Sequence, residues 1–108
     1  MLPSEIISGL AELTALNRKG VERLFEAEQN LAEAEHYLDL VESKAFLNAD
    51  GSVAEKTAKA KVESADARLA RDLARAEVSR VKMKLRGIES EIMSLATMAK
   101  IAQAEMKL

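Results

Sequence analysis

Apolar or small side chains recur along the first half of the chain at Ile6, Leu10, Leu13, Gly20, Leu24, Ala27, Leu31, Ala34, Leu38, Val41 and Ala45. The steps alternate four and three, and Asn17 fills the one polar position. That spacing keeps one side of an α-helix apolar and is a heptad seam. Ser4 is placed to cap the start of this helix, with Glu5 favourable in its first turn. The one cluster of turn residues is Asn48-Ala49-Asp50-Gly51-Ser52. Beyond it, Ser52-Val53-Ala54-Glu55 reads as a capping box opening a second helix that runs to the C-terminus.

Two long helices and a short turn predict an antiparallel hairpin. The whole chain, 1–108, is then one domain, with a helix over about 4–47, a turn at 48–52 and a helix over about 53–107. A turn centred between residues 49 and 50 sets Ser4 beside Leu95 and Glu35 beside Ser64. Gly20 and Gly87 are weak points, each costing about 1 kcal/mol relative to alanine. The seam keeps its phase across Gly20, which argues for an unbroken helix there.

The second helix has two apolar faces. One holds Ala58, Val62, Ala65, Leu69, Leu73, Ala76 and Met83; the other holds Ala67, Ala74, Val78, Val81, Leu85, Ile88, Ile92, Leu95, Ala99, Ala102 and Met106. A hairpin covers one face, and a helix apolar on several sides needs further burial. The fold expected is thus all-α: an antiparallel coiled-coil helical hairpin assembled into a homo-oligomeric bundle. Segment 88–108 is the densest candidate for assembly. Val81, Leu85, Ile88, Ile92, Leu95, Met98, Ile101 and Met106 are the expected oligomer or partner interface.

Composition supports the helical reading. Hydrophobic residues make up 48% but aromatics only 3%, so the apolar positions are mostly Ala, Leu, Val, Ile and Met. With no cysteine and one proline, a disulfide scaffold, a zinc ribbon and a β-sandwich are disfavoured. No run of 18 apolar residues exists, and Met1-Leu2-Pro3-Ser4-Glu5 lacks the pattern of a signal peptide. A cytoplasmic protein with no membrane partner is the expectation.

Charge is unevenly spread. Residues 1–55 carry 4 basic and 11 acidic side chains, and residues 56–108 carry 12 basic and 7 acidic ones. Lys61, Ser64, Arg68, Arg71, Arg75, Ser79, Lys82 and Arg86 share one stripe of the second helix. Near the turn, Glu28, Glu35, Asp39 and Glu42 are placed to neutralise it. Farther from the turn, Arg75, Lys82 and Arg86 come near Arg18, Lys19 and Arg23, and Arg80 and Lys84 add charge. These six, Arg18, Lys19, Arg23, Arg75, Lys82 and Arg86, are the candidate contacts to a nucleic-acid backbone. Phe25, Tyr37 and Phe46 all lie on the first helix, so base stacking on the second is not expected.

Enzyme chemistry finds little support. Glu33 and His36 form one Glu-x-x-His, whereas a di-iron bundle needs two and further carboxylates. An exposed His36 is the simpler reading. There is no phosphate-binding glycine loop and no nucleophile elbow. A non-enzymatic protein without metal, cofactor or small-molecule substrate is expected.

The layout resembles the UvsY-type recombination mediators of phages and other small phage-encoded helical-hairpin proteins. The likeness lies in the capped second helix Gly51-Ser52-Val53-Ala54-Glu55-Lys56-Thr57-Ala58, the charged stretch Ala65-Asp66-Ala67-Arg68-Leu69-Ala70-Arg71, and the apolar helix from Ile88 to Met106. It covers roughly residues 25–108 in pattern. The resemblance implies a homo-oligomer in the host cytoplasm that binds single-stranded DNA and helps a recombinase onto it. The alternative is a protein-binding module, an adaptor, assembly chaperone or enzyme inhibitor, that uses the apolar C-terminal helix.

Overall fold

The structure is a computed structural model that describes residues 2–106. It is helical throughout, with no strand among the described residues: α1 (Pro3–Asn48), α2 (Val53–Glu63) and α3 (Ala65–Met106). The first helix starts one residue before the expected boundary. Pro3 takes the first helical position, where its missing N–H costs nothing. Leu2, rather than Ser4, holds the start: its carbonyl accepts from the Glu5 and Ile6 amides, and its amide donates to Glu5 Oε2 at 3.2 Å. Ser4 lies inside the helix.

The burial pattern of α1 follows the heptad seam. Ile6, Ala27, Leu38 and Ala45 are buried, the other seam positions are half-buried, and Asn17 is among them. Helix α1 passes through Gly20 without a break. The glycine serves close approach, since a Cβ there would collide with Leu85. Gly9 has the same role, because its Cβ would lie 2.9 Å from Leu95 Cδ1. Gly87 meets nothing within 4 Å and leaves its helix unbroken.

Between α1 and α2, Gly51 adopts φ 112, a conformation L side chains avoid. Ser52 caps α2: its Oγ accepts from the Glu55 amide at 3.2 Å. Glu55 reaches back to Ser52 Oγ at 3.3 Å rather than to the Ser52 amide. Lys59 Nζ donates to the Asp50 carbonyl at 2.8 Å, and Lys56 Nζ sits 5.6 Å from the centre of the Phe46 ring. Gly9, not Ser4, lies against Leu95, and Glu35 meets Arg75 rather than Ser64.

The expected second helix is interrupted once, at Ser64. Its φ −92 and ψ 6 leave the helical region. The hydrogen-bond ladder nevertheless passes through it. The Ser64 amide donates to Ala60 O at 3.0 Å, and the Arg68 amide donates to Ser64 O at 2.9 Å. The side chains explain the distortion. Ser64 Oγ leans back toward Lys61 O at 3.4 Å, and Arg68 Nη2 donates to Ser64 Oγ at 2.9 Å. Arg68 Nη2 also reaches Lys61 O at 3.5 Å, so a hydroxyl and a guanidinium compete for one helical carbonyl, which locally distorts a helix. Beyond the break α3 ends at Met106, and residues 107 and 108 lie outside the described part.

The chain divides into two compact units. One comprises Met1–Leu24 with Arg80–Leu108, the other Phe25–Ser79. Buried side chains in the first include Ile6, Val81, Leu85 and Ile88; those in the second include Ala27, Leu38, Ala45, Ala60, Ser64, Ala67 and Val78. The second core is built largely from alanine.

Candidate interaction surfaces

The two apolar faces of the second helical stretch have different fates. Ala60, Ser64, Ala67, Val78, Val81, Leu85 and Ile88 are buried, while Arg71, Ala74, Ile92, Leu95, Ala99 and Ala102 are half-buried. Their steps alternate four and three, so this is the second seam. Val81, Leu85 and Ile88 are thus spent on the chain's own core and are not a free interface. Ile92 and Leu95 are partly spent in the same way. Of the expected interface residues, Met98, Ile101 and Met106 remain exposed.

The other face stays open. Val62, Leu69, Leu73 and Met83 are exposed, at 77%, 58%, 63% and 69%. Helix α1 adds exposed Ile7, Leu16, Val21, Phe25, Tyr37, Leu40 and Leu47. Large apolar side chains are therefore left on the outside of both units, while in the second unit most of the buried positions are small.

The basic stripe is not one continuous surface. Ser64, at 0% exposure, and half-buried Arg71 turn into the seam. Arg71 Nε is held by Asp72 Oδ1 at 2.8 Å. Arg75 approaches Glu35 at 3.8 Å, both side chains about half exposed. A pair this exposed contributes little beyond about 1 kcal/mol. Arg71 is thus paired within its own helix rather than with the acidic flank of α1, and Glu35 meets Arg75, which the sequence pattern places in the open half of the stripe.

The six candidate nucleic-acid contacts are all exposed. Arg75 belongs to the second unit, and Arg18, Lys19, Arg23, Lys82 and Arg86 to the first. Lys19 and Arg23 border a groove of about 310 Å³ together with Arg80 and Lys84. Its apolar floor is made by Leu16, Gly20, Val81, Leu85 and Ile88. Gly20 lets the helices close in, and the cations of both helices then meet above that contact. Arg80 and Lys84 were legible in the sequence as nearby charge. Their place on the groove rim depends on the observed register.

In the second unit, Asp39, Glu42, Ser43, Phe46, Leu47, Thr57 and Ala60 line a separate groove of about 480 Å³. It carries acidic side chains beside an exposed leucine. Glu33 and His36 are exposed, and no group of three or more metal-binding side chains forms among the described residues. No helix is long and apolar enough to cross a membrane among these residues. No protein-family model matches this chain, and no curated protein or solved structure matches it.

Proposed function

We propose that this chain is a non-enzymatic accessory protein whose helices pair as an antiparallel coiled coil in each unit and which works by self-association. The carrying observation is that Phe25, Leu69, Leu73 and Met83 stay exposed, while alanine supplies most of the buried positions described in the second unit. Burying a leucine, methionine or phenylalanine stabilises by about 1.5–3 kcal/mol. Several such side chains in water favour association. The antiparallel pairing is supported in the first unit by Gly9 against Leu95 and Gly20 against Leu85. In the second it is supported by Glu35 near Arg75 and Phe46 near Lys56. Sedimentation over a wide concentration range tests the reading. A mass that rises with concentration is expected; a monomer at every concentration overturns it.

A second reading is backbone binding to single-stranded DNA, as in a phage recombination accessory that also engages a recombinase in the host cytoplasm. It is favoured by Lys19, Arg23, Arg80 and Lys84 around one groove, with Lys82 and Arg86 exposed in the same unit. Fluorescence anisotropy with labelled DNA at about 50 and 200 mM salt tests it, because phosphate contacts weaken steeply over that range. Lys82→Glu with Arg86→Glu should weaken binding. Equal binding by that variant removes these two residues from the site.

A further inference from the structure

The two units carry opposite charge. Met1–Leu24 with Arg80–Leu108 holds nine basic and six acidic side chains, a balance of +3. Phe25–Ser79 holds seven basic and twelve acidic ones, a balance of −5. The split by unit is not the split by sequence halves, since each unit draws on both the acidic first half and the basic second half.

Each unit also has a groove whose charge follows its own sign. Lys19, Arg23, Arg80 and Lys84 border the apolar floor in the first unit. Asp39 and Glu42 border the groove of the second, beside Leu47, which is 76% exposed. Lys19, Lys84, Asp39 and Glu42 form no ion pair within the chain among the described residues. Each groove thus offers charges that the chain itself leaves without an ionic partner, around an apolar centre. The first has an apolar hollow; the second presents a leucine that stands out from it.

We infer that the partner for the basic groove is a second copy of this chain, which docks the acidic surface of its Phe25–Ser79 unit, around Asp39, Glu42 and Leu47, against the Lys19/Lys84 groove of the first. This rests on the self-association reading and specifies its contact. Opposite charges in register steer the encounter and select the orientation, and like-charge juxtaposition disfavours a unit meeting its own kind. Exposed Leu16 on the groove and Leu47 supply what surface ion pairs alone do not. Such a contact joins two different patches. It either closes reciprocally between two copies or continues from copy to copy.

Charge reversal on the full chain gives the test. One variant carries Lys19→Glu and Lys84→Glu; the other carries Asp39→Lys and Glu42→Lys. Far-ultraviolet circular dichroism establishes that each remains helical, and sedimentation gives the mass. Wild-type association should fall as salt rises. Each variant alone should associate at least about tenfold more weakly than wild type. An equimolar mixture should recover association, because the unaltered acidic surface of the first variant can meet the unaltered basic groove of the second. That recovery requires both variants to be folded.

If wild type associates and both variants associate equally well, the contact is overturned while self-association stands. If both variants lose association but their mixture does not regain it, the pairing of these two surfaces is overturned. A wild type that is monomeric throughout overturns both this contact and the reading beneath it. So does a monomeric wild type whose Lys19→Glu, Lys84→Glu variant loses only affinity for single-stranded DNA, which would assign the groove to nucleic acid.

Discussion

Gly20 of α1 faces Leu85 of α3 so closely that no side chain larger than hydrogen fits between them without moving the leucine. Leu85 is only 8% exposed and packs over a position where the partner helix has no Cβ. Gly87, two residues on, has open space around its Cα. The two glycines cost the helices similar propensity, yet only one is needed for packing.

Opposite mutational signs follow. Gly87→Ala should stabilise by about 0.5–1 kcal/mol through helix propensity. Gly20→Val should destabilise by about 1–3 kcal/mol through overpacking against Leu85. Urea unfolding followed by circular dichroism at one fixed protein concentration reads both. A stabilised Gly20→Val protein would mean that the helices are not held together there.

Asn17 presents a different kind of packing cost. Its Oδ1 is buried and has no hydrogen-bond partner in the protein. Such an atom costs about 1–3 kcal/mol. Asn17→Leu should therefore raise stability, and by the same logic it should weaken the penalty against competing registers. A disulfide-free distance measurement, with spin labels at exposed Ser8 and Thr97, would report any change in helix register. A destabilised Asn17→Leu protein would show that the oxygen has a partner.

The two apolar faces of the second helical stretch should respond differently to truncation. Leu85→Ala removes a buried side chain and should cost about 2–5 kcal/mol. Leu69→Ala removes one that is 58% exposed and should cost within about 0.5 kcal/mol at protein concentrations too low for association. A growing penalty for Leu69→Ala as concentration rises would identify that face as part of an assembly contact. Equal penalties for the two at low concentration would contradict the burial pattern.

Glu35 and Arg75 approach to 3.8 Å with both side chains open to water. A double-mutant cycle with Glu35→Ala and Arg75→Ala should yield a coupling of about 0.2–1 kcal/mol. High salt should reduce it toward zero. A larger, salt-resistant coupling would require the pair to be shielded.

The seam of α1 was visible in the sequence because a 4–3 spacing of apolar positions has one helical solution. It includes Asn17, whose polarity breaks the run without breaking its phase. The capped start at Ser52 was visible for a similar reason, since a serine followed three residues later by Glu55 is a local arrangement. The start of α1 is less legible, because Ser4 resembles a cap while Pro3 lowers the cost of a helix beginning one residue earlier. The break at Ser64 was hidden. Periodicity places a serine on the seam without showing that Arg68 bonds its hydroxyl.

Apart from the break at Ser64, the long helical stretches, the turn near Gly51 and the seam of α1 can be read from the residues alone. These depend on local backbone preference and on a repeat that every residue of a helix shares. Tertiary structure alone decided which apolar face of the second stretch is spent on the core and which basic side chains gather around Gly20. Both faces satisfy helical periodicity, so periodicity could not choose between them. The choice depends on register: moving one helix by a single turn changes which side chain Gly20 accepts and which cations flank it.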